Sequence, residues 1–235
     1  MDRIAETAAT ILQNAERRVE VSAQNITNAA TPGYKRRVSF AHALASPGVG
    51  NRTFDATVSN LPDFTAGKEI LTGNPTDLAI MGQGFFAVRA DDEVLYTRQG
   101  QFRRDEEGRL VTGEGMALQA SGGGDVVVPA GTFSVAADGM VTVAGQPVAR
   151  VAVVDFADRG ALRPAQGSAF AAGEVQPDEV QGSVIRQGML ESSNVSTGDE
   201  MVAMMEALRR AESGQRLISV YDDLMGRALT TFGEK

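Results

Sequence analysis

The chain has 235 residues, with 22 Lys and Arg against 30 Asp and Glu, no Cys, no Trp and a single His. Without Cys there can be no disulfide, zinc–thiolate site, iron–sulfur cluster or thiol nucleophile, and one His cannot build a multi-histidine metal site. The net charge of −8 argues against broad binding to nucleic acid or an anionic membrane, both of which need a basic field.

Glycine and proline punctuate the chain unevenly. Of 26 Gly, 21 lie between Gly48 and Gly188, and 7 of 8 Pro lie between Pro47 and Pro177. Both residues are costly inside helices and useful in turns, so the ends are expected to be helical and the middle turn-rich. At the N-terminus, Ile4, Ala8, Ile11, Ala15, Val19, Ser22 and Ile26 recur in steps of three and four and form one helical stripe. This helix should stop before Thr31-Pro32-Gly33. No apolar run near the start resembles a signal-peptide core, so a soluble chain is expected, leaving by a route without a cleaved leader if it is exported. Nor does any stretch approach the roughly 20 apolar residues of a membrane helix.

Between the ends, short apolar runs alternate with turn residues. Leu78–Met81 leads through Gly82-Gln83-Gly84 into Phe85–Val88, and Asp91-Asp92 precedes Val94–Tyr96. Asp138-Gly139, between Phe133–Val135 and Met140–Val143, is the strongest hairpin signal, and Val148–Phe156 is the longest β-branched run. About eight strands with turns every 8–12 residues point to an all-β sandwich or barrel-like domain. In the C-terminal zone, Met201, Met205, Leu208, Ala211, Gln215, Ile218, Tyr221, Met225, Ala228 and Phe232 make a second helical stripe. Its mean step of about 3.4 residues lies near the 3.5 of a coiled-coil seam. Ser196 or Thr197 is the expected cap, followed by Asp199 and Glu200. The expected fold is therefore mixed, an all-β centre flanked by terminal helices that pair as a coiled coil. The domains are 1–34 with 196–235 (helical), 35–70 (connector arm) and 71–195 (β-rich).

Enzymatic constellations are poorly represented. A Ser-His-Asp triad would need His42, which has no nucleophile elbow near it and reads better as a solvated or packed side chain. Asp91-Asp92-Glu93 and Asp105-Glu106-Glu107 lack the alternating spacing of a calcium loop. Gly82-x-Gly84 lacks the third glycine of a dinucleotide fingerprint, and Gly122-Gly123-Gly124 lacks the Lys-Ser/Thr of a phosphate loop. Lys35-Arg36-Arg37, the one basic cluster, reads as a solvated turn or a charge partner for an acidic neighbour. No catalytic, cofactor-binding or metal-ligating residue is nominated. Less easily dismissed are Asn25 and Asn28, three apart near the helix end, where amides can satisfy frayed backbone groups or bond a partner helix.

The segment Asn25-Ile26-Thr27-Asn28-Ala29-Ala30-Thr31-Pro32-Gly33-Tyr34-Lys35 resembles the N-terminal signature of the bacterial flagellar basal-body rod and hook family. Two further stretches are similar to that family: Thr72–Phe86 followed by Tyr96-Thr97-Arg98-Gln99-Gly100-Gln101-Phe102, and Gly188–Val195 before the C-terminal helix. Gly84 lies only 51 positions after Gly33, a short connector that resembles the proximal rod members, with the distal rod members as runner-up. Where relatives often show Arg-x-Tyr-Glu, this chain has Arg210-Ala211-Glu212.

The resemblance implies a structural subunit, not an enzyme, needing no cofactor. Its terminal helices would form an inner coiled-coil layer with the β-rich domain outside, and subunits would stack helically into a periplasmic drive shaft that carries motor torque. Implied partners are copies of itself, other axial rod proteins and the flagellar export apparatus, with no nucleic acid and no direct membrane insertion. The expected assembly residues lie on the two helices (Ile4, Ile11, Val19, Ile26, Met201, Leu208, Ile218 and Met225) and in the motifs beside them (Asn25, Asn28, Pro32, Gly33, Tyr34, Asn194 and Val195).

Overall fold

A computed structural model describes residues 2–43, 56–91, 93–180 and 182–233; the side chains of 2–6, 40–43, 56–59 and 228–233 lie outside the description. Helix α1 spans Asp2–Thr27 and is followed by strands β1 (Arg37–Ala43) and β2 (Ala56–Pro62). Sixteen further short strands occupy residues 69–191: β3 (Glu69–Leu71), β4 (Leu78–Met81), β5 (Phe85–Ala90), β6 (Glu93–Thr97), β7 (Arg103–Arg104), β8 (Leu110–Val111), β9 (Ala117–Leu118), β10 (Phe133–Val135), β11 (Met140–Val143), β12 (Gln146–Arg150), β13 (Val153–Asp155), β14 (Arg163–Pro164), β15 (Ala169–Ala171), β16 (Asp178–Glu179), β17 (Val184–Gln187) and β18 (Met189–Glu191). Helix α2, Thr197–Gly233, completes the described chain. The central region is thus mostly β, with one helix at each end. The chain divides into two compact units, one of residues 1–27, 37–61 and 195–235, the other of residues 28–36 and 62–194.

In the first unit, β1 pairs with β2, and α1 packs along α2. The stripe expected on α1 faces inward: Ala8, Ala15 and Ser22 are buried, and Ile11, Val19 and Ile26 half-buried. Ile4 lies on the helix, with its side chain outside the description. On α2 the packed face runs through Glu200, the adjacent pair Ala203 and Met204, then Ala207, Ala211, Gly214, Ile218, Tyr221 and Met225 in steps of three and four. The expected stripe is therefore corrected over its first turns. There Met201, Met205 and Leu208 are exposed while Ala203, Met204 and Ala207 take the packed face; farther along, Gln215 is exposed and Gly214 is buried in its place. Close approach selects the small residues: a Cβ on Gly214 would lie 3.2 Å from Leu12 Cγ and 3.3 Å from Ile11 Cγ2. Of the two expected caps, Ser196 fills the role: its Oγ accepts from Asp199 N at 3.5 Å, and its carbonyl accepts from Glu200 N at 3.0 Å as the first helical bond. Ala228 and Phe232 lie on α2 with side chains outside the description, as does that of His42 on β1.

In the second unit the largest sheet runs β14-β15-β6-β5-β9-β8-β7, with β13 added to β5 and β16 to β13. The path is open at both ends, so no closed barrel forms among the described residues. Strand β5 organises the core because both its faces are covered. Phe86 and Val88 enter a large aliphatic cluster with Leu78, Leu110, Leu118, Val126 and Val141. Phe85 and Ala87 point the other way, into a cluster with Tyr96, Phe156, Leu162 and Phe170. This is the period-two alternation of a strand carried on two buried faces. Phe64 closes the second cluster edge-to-face, its ring 5.4 Å from that of Phe85 and 5.2 Å from that of Phe170.

The Asp138-Gly139 turn joins β10 and β11 in an antiparallel hairpin, as its turn chemistry predicts. β5 and β6 form another hairpin around Asp91, which adopts a φ of +50°. The run Val148–Phe156 is not one strand: it breaks at Val151-Ala152, β12 pairing with β11 while β13 pairs with β5. Likewise β4 and β5 do not pair with each other across Gly82–Gly84, because β4 takes β17 as its partner.

Candidate functional site

Three buried charges meet where the three sequence motifs come together inside the second unit. Glu191, at the end of β18, is 4% exposed, Lys35 is 3% exposed and Arg98 is 6% exposed. Lys35 Nζ donates to Glu191 Oε1 at 2.6 Å, and Arg98 Nη1 donates to Oε2 at 3.2 Å. Gly67 N also donates to Oε1 at 2.8 Å, so three chemically different donors share one carboxylate. The cations find further oxygens: Lys35 Nζ reaches Thr65 O at 2.7 Å, and Arg98 reaches Ile80 O at 3.1 Å and Gly82 O at 2.6 Å. The Arg98 guanidinium also lies over the Phe85 ring, 5.6 Å from its centroid. Burial pushes the Lys35 ammonium below its ordinary pKa against the opposing pull of Glu191, and burial lowers Arg98 in the same way.

Backbone geometry brings these charges together. Gly33 N donates to Glu191 O at 2.8 Å, laying the Pro32-Gly33-Tyr34-Lys35 turn against β18. Gly33 has a φ of +69°, and a Cβ there would sit 2.3 Å from the Arg98 carbonyl carbon. Only glycine fits both the left-handed backbone and the close approach. Pro32 is half-buried beside it, and Tyr34 is buried, with its carbonyl accepting from Asn194 N at 3.4 Å.

The asparagines act on backbone groups. Asn25 is wholly buried; its Oδ1 accepts from Arg37 N and its Nδ2 donates to Arg37 O, each at 2.9 Å. The side-chain amide thus pairs with the start of β1 as a strand neighbour would. Asn28 is the exception: beyond the helix end its Oδ1 accepts from the Thr31 hydroxyl at 3.3 Å, while its main-chain carbonyl accepts from Thr31 N at 3.0 Å. Asn194 joins three segments of the second unit: Oδ1 accepts from Arg36 N, and Nδ2 donates to Asp63 O and to Thr65.

The structure brings Pro32, Gly33, Tyr34 and Asn194 to this junction. Asn25 and Val195 lie in the first unit, and Ile11, Val19, Ile26, Ile218 and Met225 line the packed faces of its helices. Met201 and Leu208 lie on the exposed side of α2. The triad of Lys35, Arg98 and Glu191 was not nominated as a site from sequence. The available signal was charged residues inside otherwise uncharged motifs: Lys35 in the first, Asp77 and Arg98 in the second, and Glu191 in the third. Of the basic cluster, Lys35 is a charge partner rather than a solvated turn residue. Among the described residues no group of three or more His, Cys, Asp or Glu could hold a metal ion, and no helix is long and apolar enough to cross a membrane.

Residues 79–143, which carry Gly82–Phe86 and Arg98, match the flagellar hook protein FlgE/F/G D1 domain; residues 186–231, which carry Glu191, Asn194 and most of α2, match the flagellar basal body rod FlgEFG protein C-terminal region. The chain is 32% identical over 235 residues to the flagellar basal-body rod protein FlgF of Caulobacter vibrioides, covering 93% of each chain. It is 31% identical over 250 residues to FlgF of Escherichia coli, covering 97% of each, and 29% identical to FlgG of Bacillus subtilis, covering 91% of this chain and 93% of the relative. These relatives are structural proteins and not enzymes. Similarity at this level over more than nine-tenths of both chains places the chain in the flagellar basal-body rod protein family.

Proposed function

We propose that the chain is a structural subunit of the proximal part of the flagellar basal-body rod, self-assembling helically through α1 and α2 and transmitting torque along the periplasmic shaft. The observation that carries this reading is the apolar surface that α2 leaves exposed. While one face of α2 packs on α1, Met201, Val202, Met205 and Leu208 in its first turns and Leu217, Val220 and Leu224 farther along stay 47–59% exposed. Apolar groups of this size on one long helix suit contact with neighbouring subunits. A head-to-tail contact that does not close a ring then gives a filament.

In this reading α1, which carries Ile4, and α2 form a coiled-coil seam, with Ile11, Val19, Ile26, Ile218 and Met225 inside the pair and Met201 and Leu208 toward the next copy. Asn25, Asn28, Pro32, Gly33, Tyr34, Asn194 and Val195 hold the segments from which the helices extend. The β-rich unit, with strand β5 buried on both faces, packs as a sandwich. Partners are further copies, other axial rod proteins and the flagellar export apparatus, without nucleic acid or membrane insertion. The short connector between the first two motifs supports the proximal position.

The test is Leu208→Asp in the full chain, because Leu208 is 48% exposed and its replacement leaves the α1 contact intact. Sedimentation and electron microscopy of concentrated protein should show filaments for the parent and none for the variant, with the β signal in circular dichroism unchanged. Normal polymerisation of the variant sinks the proposal.

A further inference from the structure

The buried triad carries two cations and one anion, which makes Glu191 different in kind from its partners. Lys35 and Arg98 converge on opposite oxygens of one carboxylate, so removing that carboxylate leaves two buried like charges side by side. Asp63 and Asp155 attract these cations from farther off, but neither hydrogen-bonds to Lys35 or Arg98. Removing Lys35 instead leaves a neutral Arg98–Glu191 pair.

Position along the chain gives this asymmetry a consequence. Arg98 and Lys35 precede Glu191 by 93 and 156 residues, so a chain made or delivered N-terminus first holds both cations long before it holds the anion. The backbone contact has the same dependence, because Gly33 N donates to the carbonyl of Glu191 itself.

We propose that Glu191 is the keystone of a completion latch: residues 28–36 cannot dock onto the β-rich unit until residue 191 arrives, and Lys35–Arg98 repulsion holds them open until then. The segment that leads from α1 into the β-rich unit therefore stays undocked in an unfinished chain. It closes when the last strand, β18, pairs with β3. This inference concerns the folding of the chain and stands whether or not the subunit polymerises through α2.

The test uses the full chain with Glu191→Gln, Lys35→Met and the double variant. The readouts are hydrogen exchange at the Gly33 amide and tryptic cleavage after Arg36, both of which follow the open population of segment 28–36. Glu191→Gln should speed both by about a hundredfold or more, since breaking one side of a buried ion pair costs several kcal/mol. Lys35→Met should have a smaller effect. The decisive comparison is the double variant: under the latch it closes better than Glu191→Gln alone, because one of the two repelling cations is gone. If Glu191→Gln does not fold, folding of the double variant counts as the same rescue. A double variant that opens as readily as Glu191→Gln, or more so, overturns the proposal, because independent hydrogen bonds would simply add.

Discussion

Asn194 Oδ1 accepts the backbone N–H of Arg36 at 2.7 Å, joining residues 158 positions apart. The same amide donates from Nδ2 to Asp63 O at 2.8 Å, Thr65 O at 3.1 Å and Thr65 Oγ1 at 3.0 Å. Arg36 O in turn accepts from Asp63 N at 2.7 Å, so one half-buried side chain holds three segments of backbone in register. Aspartate has the shape of asparagine but cannot donate. Asn194→Asp would keep the Arg36 contact and set a second acceptor against the carbonyls of Asp63 and Thr65. It should cost about 2–3 kcal/mol, more than the ~1–2 kcal/mol of Asn194→Ala, although alanine is the larger deletion. Urea unfolding of the two variants gives the order; an aspartate variant as stable as the alanine variant removes the donor argument.

The Pro32-Gly33 turn gives a sharper steric prediction. A Cβ at Gly33 would lie 2.3 Å from both Arg98 C and Gln99 N, backbone atoms with no rotamer to change. Gly73 has a nearly identical φ of +71° but nothing within 4 Å of its would-be Cβ. Gly73→Ala should therefore cost only the left-handed backbone penalty, about 1–2 kcal/mol. Gly33→Ala should add an overpacking cost of about 1–3 kcal/mol. Denaturation midpoints compared with one another test this directly, since equal losses would mean that the Arg98 approach imposes no constraint.

What could be read from the residues alone follows the range of the interactions. Helix α1 was legible because glycine and proline are absent from it and its stripe from Ala8 to Ile26 is unbroken. On α2 the spacing was legible but the packed face was not. Met201, Met205 and Leu208 drew the stripe toward large side chains, whereas close helix approach favours Ala207 and Gly214. Hairpins with their own turn chemistry, at Asp91 and Asp138-Gly139, could be placed. Two-residue strands such as Arg103–Arg104 or Leu110–Val111 are too short to display a period of two. The motifs carrying Lys35, Arg98 and Glu191 were visible, but their union was not, since each ion pair is closed by tertiary structure across 93 or more residues.

Asn25 offers a test of a side chain acting as a strand. Wholly buried, it pairs with both the N–H and the C=O of Arg37 at the start of β1. Asn25→Leu would preserve much of the volume while stranding both backbone groups, each of which costs about 1–3 kcal/mol when buried and unmet. A loss of roughly 2–4 kcal/mol is expected, with faster hydrogen exchange at the Arg37 amide. Unchanged exchange at Arg37 would show that water or another group replaces the amide.

Acid stability should depend measurably on Asp155. Arg159 grips its carboxylate with Nε at 2.8 Å and Nη2 at 2.6 Å, and Phe156 N adds a third donor at 2.8 Å. The Arg159 hydrogen bonds hold the Asp155 carboxyl below the ordinary carboxylate range, with smaller lowering contributions from Phe156 N and the Arg159 charge. Between its folded value and its unfolded value of about 4, the unfolded chain binds more protons at this site than the folded one. Stability therefore rises with pH across that window, is fully present above it, and is lost as pH falls through the folded value. Asp155→Asn removes this ionisation: it should cost about 1 kcal/mol at pH 7, after discounting for a partly exposed pair, and make the acid limb of the stability profile shallower. Because both variants converge once Asp155 is protonated, the difference in unfolding free energy should shrink steadily below pH 4; a difference that stays constant down to pH 2 would assign the loss to packing and not to charge.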